Sequence, residues 1–166
     1  MQTTQGDRSE LRELLEEYRT ALLTTRGPDG HFHSRPMAVK RVEGDGEYWL
    51  ATRLDTRKVE DLEAEPRCGL AFHDGGRSPT YVSMSGTVDV VRDRATIRSV
   101  WAPTWRAWFP KGPDEEDLVL LHFRPDWAEY VHPRTGRLQV LTTRLKAALH
   151  REPEEVAPKK EPELPH

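Results

Sequence analysis

Short extended runs cut apart by turn-forming clusters are the feature that most restricts this chain. Gly27-Pro28-Asp29-Gly30, Gly44-Asp45-Gly46 and Asp74-Gly75-Gly76 are dense in residues that favour tight turns. Between and around them lie runs of strand length: 21–26, 33–42, 47–53, 68–73 and 81–91. Later, 118–123 and 128–131 read as strands on either side of Pro125, and 137–141 as a last one. Helical spacing appears only in short stretches. Leu11, Leu14, Leu15 and Tyr18 mark a helix over 7–19, capped by Asp7 or Ser9. Val59 and Leu62 share a face of a helix over 56–65 that Pro66 stops, and 94–100 forms a third. Strands joined by hairpin turns, with a few helices between them, predict an α+β domain on an antiparallel sheet or barrel. A doubly wound dinucleotide fold is excluded: strands and helices do not alternate, and no Gly-x-Gly-x-x-Gly or phosphate-loop motif occurs.

The chain has 166 residues, about one domain's worth, of which 36% are hydrophobic and 32% charged. A single domain over residues 1–150 is expected. Residues 151–166 are rich in Pro, Glu and Lys and poor in large apolar side chains, so they predict a disordered tail. A net charge of -3 excludes a general nucleic-acid or anionic-membrane binder, and partners of either kind are not expected. The longest apolar run, Leu118–Leu121, is too short for a membrane-spanning helix. The first residues carry no apolar core of a secretory signal, and the single Cys68 forms no internal disulfide, which together predict a cytoplasmic protein. Cys68 itself reads as a small core residue in a strand.

Two segments carry candidate chemistry. Ser34-Arg35-Pro36-Met37-Ala38-Val39-Lys40 is a strand with a cation near each end. Arg35 and Lys40 are five residues apart and fall on opposite faces of an ideal strand. In Ala51-Thr52-Arg53-Leu54-Asp55-Thr56-Arg57-Lys58, a strand gives way to a helix that Thr56 is placed to cap. Arg57 and Lys58 then stand in the first helical turn, where the helix dipole disfavours positive charge. Either the two are solvated and paired with Glu60 and Asp61, or an anion such as a phosphate satisfies both cations and the free N–H groups together. Other candidates are weaker. His31 and His33 have no third ligand at a supporting spacing, and Ser83 and Ser85 have no nucleophile elbow. Trp101, Trp105 and Trp108 recur at helical spacing interrupted by Pro103, as a core stripe, an oligomer contact, a lid or a stacking wall. No side chain stands out as a general acid or base, so the catalytic residues are unknown at this stage.

The strand 34–40 and the turn Ala51-Thr52-(x3)-Thr56-Arg57-Lys58-(x3)-Leu62-(x3)-Pro66 together resemble the flavin-binding signature of the pyridoxamine 5'-phosphate oxidase-like split-barrel family. Tyr81-Val-Ser-Met-Ser-Gly86-Thr-Val and the stretch from Trp101-Ala-Pro through Trp108-Phe109-Pro to Leu118-Val-Leu-Leu are similar to its short general-stress-protein branch. The resemblance runs from about residue 14 to 149. It implies a six-stranded antiparallel split β-barrel with flanking short helices, forming a homodimer with FMN between the subunits. Arg35, Pro36 and Met37 would then lie along the flavin ring, largely through backbone groups. Ala51 and Thr52 would line the ring and ribityl chain, and Thr56, Arg57 and Lys58 would hold the phosphate. Lys40 and Trp108 complete the expected cofactor-binding set, and no metal is expected. The resemblance further implies flavin-dependent oxidoreductase chemistry on an unknown substrate. A non-catalytic flavin-binding stress or storage module, or a split barrel holding F420 or haem, are the alternatives. Where the oxidase proper carries Glu-Phe-Trp, Arg-x-His and a further Arg, this chain has Glu129-Tyr130-Val131 and Arg137-Leu138-Gln139. Pyridoxamine phosphate oxidation itself is therefore not expected.

Overall fold

The structure, a computed structural model, describes residues 4–5, 11, 13–15, 18–38, 41–43, 47–73, 81–131 and 138–142. The expected tail over 151–166, the turns 44–46 and 74–76, Lys40 and Arg137 lie outside the described residues. Of the expected first helix, Leu11 and residues 13–15 are helical.

Six strands of seven or more residues form the frame: β2 (Thr20–Arg26), β3 (Phe32–Ala38), β5 (Glu47–Arg53), β6 (Arg67–His73), β7 (Tyr81–Val91) and β8 (Leu118–Val131). Three short strands, β1 (Thr4–Gln5), β4 (Arg41–Glu43) and β9 (Leu138–Thr142), extend it. The long strands pair antiparallel in the order β3-β2-β6-β7-β8-β5. β4 follows β3 in the chain but pairs with β5, whereas β3 pairs with β2. The second strand expected over 33–42 is thus two strands, and through them the chain passes from one edge of the sheet to the other. That handover curls the sheet into a six-stranded split barrel. β9 adds to the outer end of β8, and β1 lies parallel to β9.

Strand alternation fills the barrel. Ala21, Leu23 and Thr25 of β2, Cys68, Leu70 and Phe72 of β6, and Val82, Met84 and Val88 of β7 are buried, while their neighbours are intermediate or exposed. Tyr48 and Leu50 of β5 and Val119, Leu121 and Phe123 of β8 complete this interior. Helix α1 (Arg57–Ala64) closes one end, with Val59 and Leu62 in the same core. Each such apolar side chain removed from water contributes about 2 kcal/mol before ordering costs. Cys68 is buried as expected, and burial pushes its thiol up to about 12, leaving it unreactive.

β5 and β8 are apolar on both faces because a second core lies outside the barrel. Trp49, Leu118 and Leu120 pack there against Ile97 and Val100 of α2 (Arg94–Val100) and against Trp105 and Phe109. Asp93 caps α2, accepting from the Thr96 N–H at 2.8 Å. The tryptophan run forms a 3-10 turn over Pro103–Ala107, not one continuous helix. Trp105 is buried, Trp101 meets it edge-on at 5.4 Å, and Trp108 is 56% exposed.

The two strands expected around Pro125 are one strand of 14 residues. Ser85 pairs with Trp127 and Gly86 with Pro125, so Asp126 is an extra residue in the ladder. Pro125 thus sits at a bulge, where a strand tolerates proline. A Cβ on Gly86 would stand 2.1 Å from the Arg124 carbonyl oxygen, so only glycine permits this close pairing.

Candidate functional site

A cleft of about 710 Å³ lies on the outer surface of the barrel where β3 and β5 approach each other. Its floor comes from Pro36, Met37 and Ala38 of β3, Thr20 of β2, and Ala51, Thr52 and Arg53 of β5. Thr56 and Lys58 at the helix start and Ala107, Trp108 and Phe109 as an aromatic wall complete the lining. Its size falls within the about 300–1,000 Å³ typical of small-molecule sites.

The ladder explains why these residues meet. Thr20 pairs with Ala38 and Leu22 with Pro36, so that row of β2 and β3 points outward. Trp49, Ala51 and Arg53 occupy the outward row of β5, beneath the second core at one end and open at the other. The chain then turns at 54–56 into α1, placing the helix start at the end of the cleft.

That helix start is rich in donors. Thr56 holds the N-cap position with extended backbone (φ -103, ψ 143), but no side chain caps the helix. Its hydroxyl instead donates to the Arg53 carbonyl at 2.8 Å. The first helical bond runs from the Val59 N–H to the Thr56 carbonyl, which leaves the earlier amides outside the helical ladder. Lys58 Nζ donates to Thr52 Oγ1 at 3.0 Å at the cleft end. Burial lowers its pKa below the ordinary value of 10.5, and the nearby Arg35 charge lowers it further against a smaller opposite pull from Asp55. A partly desolvated lysine beside a second cation at a helix N-terminus is an environment that an anion relieves.

The other cations have different placements. Arg35 pairs across the ladder with the fully buried Leu23 and, unlike Met37 on the same face of β3, is not among the residues that line the cleft. Its guanidinium donates to Thr25 Oγ1 at 2.6 Å and lies 3.5 Å from Asp61 Oδ2. The same Asp61 oxygen accepts from Thr25 Oγ1 at 2.7 Å and pairs with His33 Nδ1 at 3.0 Å. Desolvation pushes the Asp61 carboxyl up, but the Thr25 and His33 hydrogen bonds and the Arg35 charge outweigh it, leaving a net lowered pKa. Arg57 points away from the cleft to Asp29 in the β2–β3 turn, at 2.8 Å. The cation pair of the helix start therefore separates: Lys58 faces the cleft and Arg57 ties down the hairpin.

Of the expected cofactor-binding residues, Pro36, Met37, Ala51, Thr52, Thr56, Lys58 and Trp108 meet at the cleft. Arg35 and Arg57 flank it, and Lys40 lies outside the described residues. Thr20, Ala38, Arg53, Ala107 and Phe109 line it without having been anticipated. For Arg53 and Ala38 a signal existed, since each stands two residues from an expected contact and so on the same strand face. Thr20 depends on the β2–β3 register, which no local motif states. Among the described residues no cluster of three or more His, Cys, Asp or Glu side chains is arranged to hold a metal.

The family model described as "Pyridoxamine 5'-phosphate oxidase like" matches residues 6–155. Among curated proteins, Protein bli-3 of Neurospora crassa is 27% identical over 132 residues, covering 74% of this chain; the chain spans 63% of the length of that relative. A general stress protein 26-related protein from Clostridium acetobutylicum superposes with a TM-score of 0.73 at 24% identity, over 84% of this chain and 99% of the other. A pyridoxamine 5'-phosphate oxidase-related, FMN binding protein from Nostoc punctiforme matches with a TM-score of 0.60 at 14% identity, over 80% and 84% of the two chains. A heme binding protein from Mycobacterium smegmatis matches with a TM-score of 0.68 at 16% identity, over 87% of this chain and 62% of that one. The split-barrel topology and the family match over nearly the whole chain agree, and the chain belongs to the pyridoxamine 5'-phosphate oxidase-like family.

Proposed function

We propose that this chain is an FMN-binding protein of the general-stress type, acting as a homodimer in the cytoplasm, with flavin-dependent redox chemistry on a small molecule. One observation carries the reading: the cleft joins an apolar, aromatic-walled floor to an uncapped helix start bearing Lys58. A planar ring with a phosphate at the end of a polyol chain has that same division of character. Pro36, Met37 and Ala51 would take the ring, Thr52 and Thr20 the polyol, and Thr56, Lys58 and the free amides of α1 the phosphate. Arg35 would act from behind the cleft, through its charge on Lys58, and Trp108 would flank the ring at the mouth. Lys40 and Arg57 would be secondary contributors. The FMN-binding relative from Nostoc punctiforme shares the fold and supports the choice of ligand.

FMN, when bound, supplies hydride and electron transfer, and this chain's residues would bind and orient it. The described lining contains no carboxylate, histidine or cysteine to act as acid, base or nucleophile. That composition also favours a second reading, a flavin-binding module without a substrate of its own. It weighs against haem, whose iron is ordinarily held by His, Cys, Met or Tyr, because Met37 is the one such side chain in the described lining. The deazaflavin F420 shares the ring-and-phosphate character and stays the alternative ligand.

The dimer proposal is supported by the outer face of β3-β2-β6. Leu22 and Phe32 are 43% and 73% exposed there, beside the exposed Pro36 and the small residues Gly69 and Ala71. Exposed apolar side chains next to the cleft, around the Thr24–Ser34 pair, suit contact with a second copy of the chain. The ligand reading is tested by titrating the protein with FMN and with riboflavin, which lacks the phosphate. Lys58→Ala should weaken FMN by about tenfold or more, the cost of one charge-assisted hydrogen bond, and leave riboflavin unchanged. Equal FMN affinity in wild type and variant would remove the phosphate assignment.

A further inference from the structure

Arg53 stands inside the cleft and invites assignment as a second phosphate ligand, but its bonding points elsewhere. Its guanidinium donates to Asp117 through Nη1 and to Glu115 Oε1 through Nη2 at 3.4 Å, so two carboxylates already balance its charge. The same Nη2 reaches the Trp108 carbonyl oxygen at 3.3 Å, and the group lies over the Phe109 ring, 5.4 Å from its centre. The Leu54 N–H next along the chain donates to the Asp117 carbonyl at 2.7 Å. Glu115, nearly buried, also accepts from the Lys111 N–H at 3.2 Å.

These contacts join the end of β5 to the aromatic wall itself and to the turn that follows it. Trp105 and Phe109 are anchored in the second core, but Trp108 between them is mostly exposed. The Trp108 N–H donates to the Trp105 carbonyl at 3.0 Å, and its own carbonyl is the one that accepts from Arg53. The planar fork of an arginine can bridge carboxylates, a carbonyl and a ring face together, which a lysine cannot.

We propose that Arg53 is a positioning residue: clamped by Glu115 and Asp117, it fixes the backbone at Trp108 and so sets the indole that a planar ligand meets at the cleft mouth. The inference rests on the reading of the cleft as a site for such a ligand, but it also predicts a property of the ligand-free protein. Arg53→Met keeps the stem and removes the fork, and Arg53→Lys keeps only the charge.

The test measures near-UV circular dichroism of the free protein and affinities for FMN and riboflavin, with Trp108→Phe identifying the Trp108 contribution. Both Arg53 variants should lose that Trp108 band while retaining the wild-type far-UV spectrum. Both should weaken FMN and riboflavin by the same factor, about tenfold. Loss of FMN affinity with riboflavin unchanged would make Arg53 a phosphate ligand and overturn the inference. An unchanged Trp108 band, or a Lys variant equal to wild type, would overturn it too. If wild-type protein binds neither flavin, the proposed function fails by itself, and the Trp108 band still decides the role of Arg53.

Discussion

Lys58 and Asp61 lie three residues apart on α1, and their charges work in opposite directions. Lys58 is protonated at some cost because it is half-desolvated and near Arg35, so its pKa is lowered. A lysine with a lowered pKa binds fewer protons folded than unfolded, so its contribution to stability improves as pH rises toward 10.5. Phosphate binding needs the charged form. FMN affinity should therefore fall on the alkaline side at a pH below 10.5, and Lys58→Arg should move that fall to higher pH; a titration of Kd against pH reads both. Asp61 is the reverse case, a buried carboxylate held ionised by Thr25, His33 and Arg35. Its contribution is complete above the ordinary value of 3.8 and is lost as pH falls through its lower folded value. Asp61→Ala leaves Arg35 largely buried without its counter-ion and should cost about 3 kcal/mol. In a chain of this size that is a fall of about 6–12 °C in Tm by calorimetry. The cations at 57 and 58 were legible as an anomaly in the sequence. Their division was not, because Asp29 lies 28 residues away and is brought to Arg57 by the hairpin register.

At the scale of elements, alternation and turn chemistry made most strands legible, since a strand with one face in the barrel must alternate. Errors arose where a second partner changed the pattern. β8 reads as two strands because Pro125 breaks it locally, yet the bulge opposite Gly86 accommodates the proline. Gly86→Ala should cost about 3 kcal/mol, the upper end of overpacking penalties, because its Cβ would meet backbone that has no rotamer to yield. A urea melt would show this as a lower midpoint with an unchanged slope. The tryptophan stripe has helical spacing, but Pro103 and the two cores divide its members between packing and the cleft. Trp105→Ala should cost about 3–5 kcal/mol, the range for a large buried aromatic, and should also weaken flavin binding by releasing the wall. Trp108→Ala should leave stability nearly unchanged and weaken flavin binding alone, a contrast that paired melts and titrations would read.

For the molecule as a whole, the family signature is a local motif, so it could be read from 34–40 and 51–66 without any structure. The closure of the barrel could not, because it depends on β3 and β4 pairing with different strands. Nor does a local motif reveal the cleft's outward position, which follows from the same ladder. If the face around Leu22 and Phe32 meets a second copy, Leu22→Glu should shift the protein from dimer to monomer in light scattering and weaken FMN with it. Removal of residues 151–166 should leave both FMN affinity and Tm unchanged. Among the described residues no helix is long and apolar enough to cross a membrane. The most direct measurement is the absorbance spectrum of freshly purified protein, with mass spectrometry of what denaturation releases and a titration with added FMN. An oxidised-flavin spectrum with a released mass equal to FMN, or saturable uptake of one FMN per chain, is the expected result. A colourless protein that takes up no FMN would contradict it.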